Sequence, residues 1–164
     1  MLILLLFFLN CAYCKYFYNH IIKTDFKSVN ELSNIMTSKN YFDLYLEEVK
    51  ADNITYDPCL NDSLLEYPFE VSYNSKPKVT LLPLTFPKIN IKQSWKKENN
   101  IMKGRIVCSF IDFNLDLEIK QNDSVYIDIN SCINSKMFFL PNKVLKYALY
   151  DYENIFHKII KKLI

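Results

Sequence analysis

Residues 111–130 read IDFNLDLEIKQNDSVYIDIN, and how this stretch folds decides the class of the whole chain. Ile111, Phe113, Leu115, Leu117 and Ile119 alternate with Asp112, Asn114, Asp116, Glu118 and Lys120. A period of two puts every apolar side chain on one face of a pleated backbone, so the segment is a half-buried strand. Val125, Ile127 and Ile129 repeat the alternation against Tyr126, Asp128 and Asn130. Residues 121–124 supply the turn, with Asn-Asp where glycine is usual. The result is an antiparallel hairpin with one apolar face, which needs a second layer to cover it.

Upstream, Ile106, Cys108 and Phe110 are apolar on the opposite parity. The apolar face therefore changes between Phe110 and Ile111, which predicts a bulge or sharp bend in one long strand. Residues 79–95 are apolar and β-branched but carry Pro83 and Pro87, which confines them to an edge or bent strand. Residues 41–46 alternate Phe42, Leu44 and Leu46 with polar or tyrosyl neighbours and suggest another strand. Residues 51–63 are polar, contain Pro58 and read as a loop.

Two segments have helical spacing. Between residues 16 and 36, Phe17, Ile21, Ile22, Phe26, Val29, Leu32, Ile35 and Met36 recur at threes and fours among Lys, Asp, Asn and Glu, which predicts an amphipathic helix. After Pro141, the stripe Val144, Ala148, Tyr152, Ile155, Ile159 and Leu163 predicts a second one over residues 142–164, with Lys143, Lys146, Lys158, Lys161 and Lys162 facing outward. The expected class is α+β: a long, bent antiparallel sheet packed against two long amphipathic helices.

Composition bounds the function. Half of the 164 residues are apolar and 15% aromatic, which excludes disorder and suffices for one domain with a real core. Only one glycine is present, so glycine-dependent phosphate loops cannot be built. A formal net charge of +2 gives no electrostatic footprint for nucleic acid. The two histidines, His20 and His157, both fall in predicted helices beside lysines or aromatics, and no serine or cysteine has a nucleophile's local context. Asp112, Asp116 and Glu118 could meet a cation, but a solvated strand face explains them more simply. No catalytic residue, metal or cofactor is expected.

The first fourteen residues, MLILLLFFLNCAYC, carry an apolar run from Leu2 to Leu9, then Ala12 and Cys14 at positions suited to cleavage. This is a signal-peptide pattern, too short for a spanning helix of roughly 20 residues. Residues 15–164 then form a single secreted domain. Asn53, Asn61 and Asn122 begin N-x-S/T sequons and become candidate glycosylation sites. Cys59, Cys108 and Cys132 remain as disulfide candidates; three cysteines allow one bond, and the spacing does not say which pair forms it.

The order of parts resembles the lipid-binding domain of bactericidal/permeability-increasing protein, lipopolysaccharide-binding protein and the plasma lipid-transfer proteins, the tubular lipid-binding or TULIP fold. The carriers of the resemblance are INIKQSWKK at residues 89–97, with Trp95 at the family's tryptophan, and GRIVCSFIDFNLDLEIK at 104–120 after Gly104. VYIDINSCINS at 125–135, with Cys132 at a family cysteine, and NIFHKIIKKLI at 154–164 complete it. The resemblance implies a non-enzymatic carrier whose acyl chains lie between sheet and helices. Phe113, Leu115, Leu117, Val125, Ile127 and Ile129 would contact the ligand from the sheet, and Ala148, Tyr152, Ile155 and Ile159 from the last helix. The expected partner is phospholipid or another apolar ligand, with the C-terminal lysines available to a membrane surface. The alternative is a secreted interaction protein with a dry core, acting through a surface or as a homodimer.

Overall fold

The computed structural model describes residues 14–57, 67–76, 88–99, 101–109, 111–135 and 141–164. Within them the strands are β1 (Cys14–Lys23), β2 (Asp52–Asp57), β3 (Phe69–Ser75), β4 (Ile89–Glu98), β5 (Ile101–Cys108), β6 (Ile111–Gln121) and β7 (Val125–Ser135). The helices are α1 (Val29–Met36), α2 (Lys39–Glu48) and α3 (Pro141–Leu163). All seven strands join one antiparallel sheet in the order β1-β7-β6-β5-β4-β3-β2. Strands β2 to β7 thus form a meander, and β1 closes its far side by pairing with β7.

The expected hairpin is present, with Gln121 opposite Val125 and Ile119 opposite Ile127. So is the C-terminal helix. The change of apolar parity at Phe110 has a different origin from the one expected. Chain direction reverses there: Cys108 pairs with Ile111 and Ile106 with Phe113. A two-residue connection places residues separated by an odd number on the same face, so a tight hairpin shifts the parity without any bulge.

Three other expectations are corrected. Residues 14–23 form a strand, not the first half of a long helix, and every one of them is in register with β7. Tyr, Phe and Ile favour a pleated surface, and here that preference outweighs an accidental helical spacing; only α1 remains helical. Residues 41–46 lie in α2, not in a strand. Ser38 caps that helix by accepting from the Tyr41 amide, and Ser28 caps α1 by accepting from the Asn30 amide. Residues 52–57, read as loop, form the exposed edge strand β2, where Asn53 takes a left-handed φ of 52° beside a register shift. Among the described residues there is therefore one long helix, α3, where two were expected. Pro83, Pro87, Cys59, Asn61 and the apolar run of residues 2–9 lie outside the described residues. Among the described residues no helix is long and apolar enough to cross a membrane.

The helices cover one face of the sheet. Phe69, Val71, Trp95, Leu117, Ile127 and Ile129 point into that side and are buried, as are Leu32, Met36, Phe42, Leu46, Phe156 and Ile159 from the helices. Helix α3 approaches the sheet at β1 and β7 and lies along α2, while α1 approaches β6. Among the described residues no helix backbone comes as near to β3, β4 or β5. The long helix is supported at its margins, and the middle of the sheet is left beneath an open span.

Candidate ligand site

That span encloses a cavity of about 1280 Å³ that opens to solvent. Ordinary small-molecule sites occupy roughly 300–1,000 Å³, and close-packed interiors hold few voids larger than a water molecule. Its floor is the sheet, where Ile91, Trp95, Met102, Ile106, Phe113 and Leu115 point inward. Phe42 and Tyr45 of α2 form one wall, and Ala148, Leu149, Tyr152 and Ile155 of α3 form the roof. Lys50, Asp52, Lys76, Lys88 and Lys161 line it as well, and their exposure places them at the mouth. The interior is apolar and the rim charged.

A short polar row crosses the floor. Gln93 is only 1% exposed, so its amide must find partners inside the protein. The Trp95 indole Nε1 donates to Gln93 Oε1 at 3.0 Å, and Gln93 Nε2 donates to the Tyr73 hydroxyl at 2.6 Å. Register explains the grouping: Tyr73 is opposite Ile91 and Gln93 opposite Val71, so the two side chains are diagonal neighbours on the inner face. Tyr45 reaches in from α2 close enough to Gln93 and Tyr73 for their polar groups to influence its hydroxyl. Nearby, the hydroxyls of Tyr41 and Tyr152 are 3.2 Å apart. Burial above all holds Tyr41 and Tyr73 well above the usual phenol range, raises Tyr45, and pushes Tyr152 up to about 12. All four phenols therefore keep their protons at neutral pH.

Gly104 sits opposite Trp95 across the β4–β5 ladder. A Cβ there would stand 2.6 Å from the indole ring, so the chain's single glycine allows Trp95 to lie flat against the floor with its N–H turned toward Gln93.

Six of the ten residues expected to touch ligand line this cavity: Phe113, Leu115, Leu117, Ala148, Tyr152 and Ile155. The other four, Val125, Ile127, Ile129 and Ile159, are wholly buried in the closed core beside it. Contributions from α2, β3 and β4 were not foreseen, because residues 41–46 carry a strand-like alternation and Gln93 looks like an outward-facing polar residue.

The described residues form an antiparallel seven-stranded sheet with two short helices after β1 and a long helix at the C-terminal end. The crystal structure of Ara h 8.0201 matches it with a TM-score of 0.64 at 8% identity, over 89% of this chain and 95% of that one. Two crystal structures of ginseng major latex-like protein 151 from Panax ginseng match with TM-scores of 0.54 and 0.53 at 9% and 10% identity, over 88% of this chain and 96% of theirs. The fold is Bet v 1-like. No family model matches the chain, and no curated protein resembles its sequence. A Bet v 1-like sheet begins with a strand and carries one long helix, and this overturns the TULIP resemblance, which needs a long helix at each end. At this level of identity the likeness concerns the fold alone.

Of the remaining expected features, Cys108, His157, Lys158 and Lys161 line the cavity. Cys108 and Cys132 are free. Cys108 lines the cavity, whereas Cys132 alternates with the buried Ser131 and Ile133 and faces the opposite side of the sheet, so no disulfide can join them. His20 lies on β1, not in a helix, with its Nε2 2.9 Å from Glu153 Oε2; His157 Nε2 is 3.8 Å from the other oxygen of the same carboxylate. On the outer face Asp112 pairs with Arg105, and Glu118 with Lys120. Among the described residues no group of three metal-binding side chains occurs. Lys162 and Lys158 reach Glu48 at 2.9 and 3.7 Å, tying α3 to α2.

Proposed function

We propose that this protein is a non-enzymatic carrier that holds phospholipid acyl chains or another apolar body between the sheet and α3. One observation carries the reading: an apolar cavity of about 1280 Å³ with a charged mouth. A dry-core interaction protein would have no use for such a space. Filling it removes apolar surface from water, at about 25 cal/mol per Å² before ordering costs. The segment of residues 1–14 and the exposed sequon residues Asn53 and Asn122 support a secreted, glycosylated protein. Native mass spectrometry after delipidation and reincubation with phospholipid vesicles tests the binding. Retained lipid mass on folded protein is expected; a native circular dichroism spectrum with no retained lipid would sink the reading. Expression in a secretory host, followed by endoglycosidase treatment, is expected to shift the mass at Asn53 and Asn122.

A further inference from the structure

Lysines from α2, β3, β4 and α3 meet at one end of the cavity mouth. The Ser75 hydroxyl, at the end of β3, donates to the Val49 carbonyl at 2.6 Å, and Ser75 stands opposite Ile89 at the start of β4. The chain neighbours of those three residues, Lys50, Lys76 and Lys88, are therefore carried to one place, and all three line the cavity. The last turns of α3 arrive there too. Lys158 and Lys162 reach Glu48, beside Val49 in sequence, at 3.7 and 2.9 Å, and Lys158 and Lys161 line the cavity as well.

The carboxylates of the lining, Glu48, Asp52 and Asp151, do not balance these cations. Glu48 is engaged by Lys162 and Lys158, and Asp52 by Lys88 at 2.5 Å. Lys50, Lys76 and Lys161 are exposed and meet no carboxylate among the described residues. The carbonyl ends of α2 and α3 attract cations in their own right, but Lys76 and Lys88 belong to neither helix. Directly after Lys88, Ile89 and then Ile91 begin the apolar lining along β4. Positive charge thus borders apolar surface. A molecule with an ionised head and an apolar tail fits that boundary, because the head stays hydrated at the mouth and avoids the cost of burying a charge.

We propose that Lys50, Lys76 and Lys161 receive the anionic head, a carboxylate or phosphate, of an amphiphile whose tail lies in the cavity. The inference rests on the carrier reading and narrows it from any apolar body to a negatively charged amphiphile with a fixed orientation, tail inward and head at the end of α2.

Decanoate, decanol and decyltrimethylammonium share one tail and differ in the charge of the head. Calorimetric titration of the full chain at low salt is expected to show decanoate binding about fivefold more tightly than decanol, the ratio that two or three exposed ion pairs supply together, and the cation binding least well. The ratio should shrink as sodium chloride is added, since exposed charges are screened. Lys50→Gln combined with Lys76→Gln is expected to bring decanoate down to the affinity of decanol. Lys146→Gln removes the same kind of charge from an exposed position on α3 outside the lining, about 18 Å along the helix from Lys158, and is expected to leave the preference as it was. Acetate, a head without a tail, should not displace decanoate at equal concentration. Equal affinity for decanoate and decanol, an effect of Lys146→Gln as large as that of the double variant, or displacement by acetate would overturn the anionic subsite while leaving the carrier reading intact. Folded wild-type protein that binds none of the three probes would overturn both.

Discussion

A methyl group on Gly104 would meet three atoms of the Trp95 ring between 2.6 and 2.9 Å, and the ring cannot step aside cheaply. It packs at a steep angle against Phe42, with centroids 5.5 Å apart, and its N–H is held by Gln93. Gly104→Ala is therefore expected to lower stability by about 1–3 kcal/mol, the usual cost of overpacking, as read by urea denaturation. Gln93 is the complementary case. Gln93→Leu keeps the volume but strands the Trp95 N–H and withdraws the Tyr73 hydroxyl's donor. An expected loss of about 1–3 kcal/mol follows from the stranded donor; an unchanged midpoint would show that water replaces the amide.

Among the elements, α3 matters most, because it is both roof and clamp. The bond from Lys162, opposed in part by burial, holds Glu48 below the usual carboxylate range. A carboxylate with a depressed folded pKa stabilises the fold above its unfolded pKa of about 4.3, and that contribution disappears as pH falls through the folded value. For a pair this near the surface the effect is about 0–1 kcal/mol. The drop in melting temperature between pH 5 and pH 3 is expected to be smaller in Glu48→Gln than in wild type. The sheet divides differently, into a closed side and a cavity side. Ile127→Ala, at a wholly buried position between β1 and β6, should cost about 2–5 kcal/mol. Ile155→Ala, in the roof, should cost less, measured by the same denaturation, and should weaken ligand binding more.

Across the whole molecule, what could be read in advance was whatever a single element's periodicity controls. The β6–β7 hairpin and α3 were legible because each has one apolar face and long, uninterrupted spacing. Strand β1 was not, since Phe17 and Ile21 are exposed at 74% and 50% and so complete a helical stripe that has no structural meaning. Helix α2 was obscured in the opposite way: Phe42, Leu44 and Leu46 alternate, yet Leu44 is only half-buried. For the site, the apolar lining on β6 and α3 followed from those same two elements. The hydrogen-bonded row did not, because it depends on strand register between β3 and β4. Ligand saturation should stabilise the entire fold, by about 2.7 kcal/mol at a hundredfold excess over Kd, visible as a rise in melting temperature. The chain also has one tryptophan, and that residue lies in the cavity floor with its N–H pinned and its ring held between Gly104 and Phe42. Its ultraviolet emission is thus a built-in gauge of occupancy: filling or emptying the space changes the solvent around a single fluorophore, and no label is needed to watch cargo enter or leave.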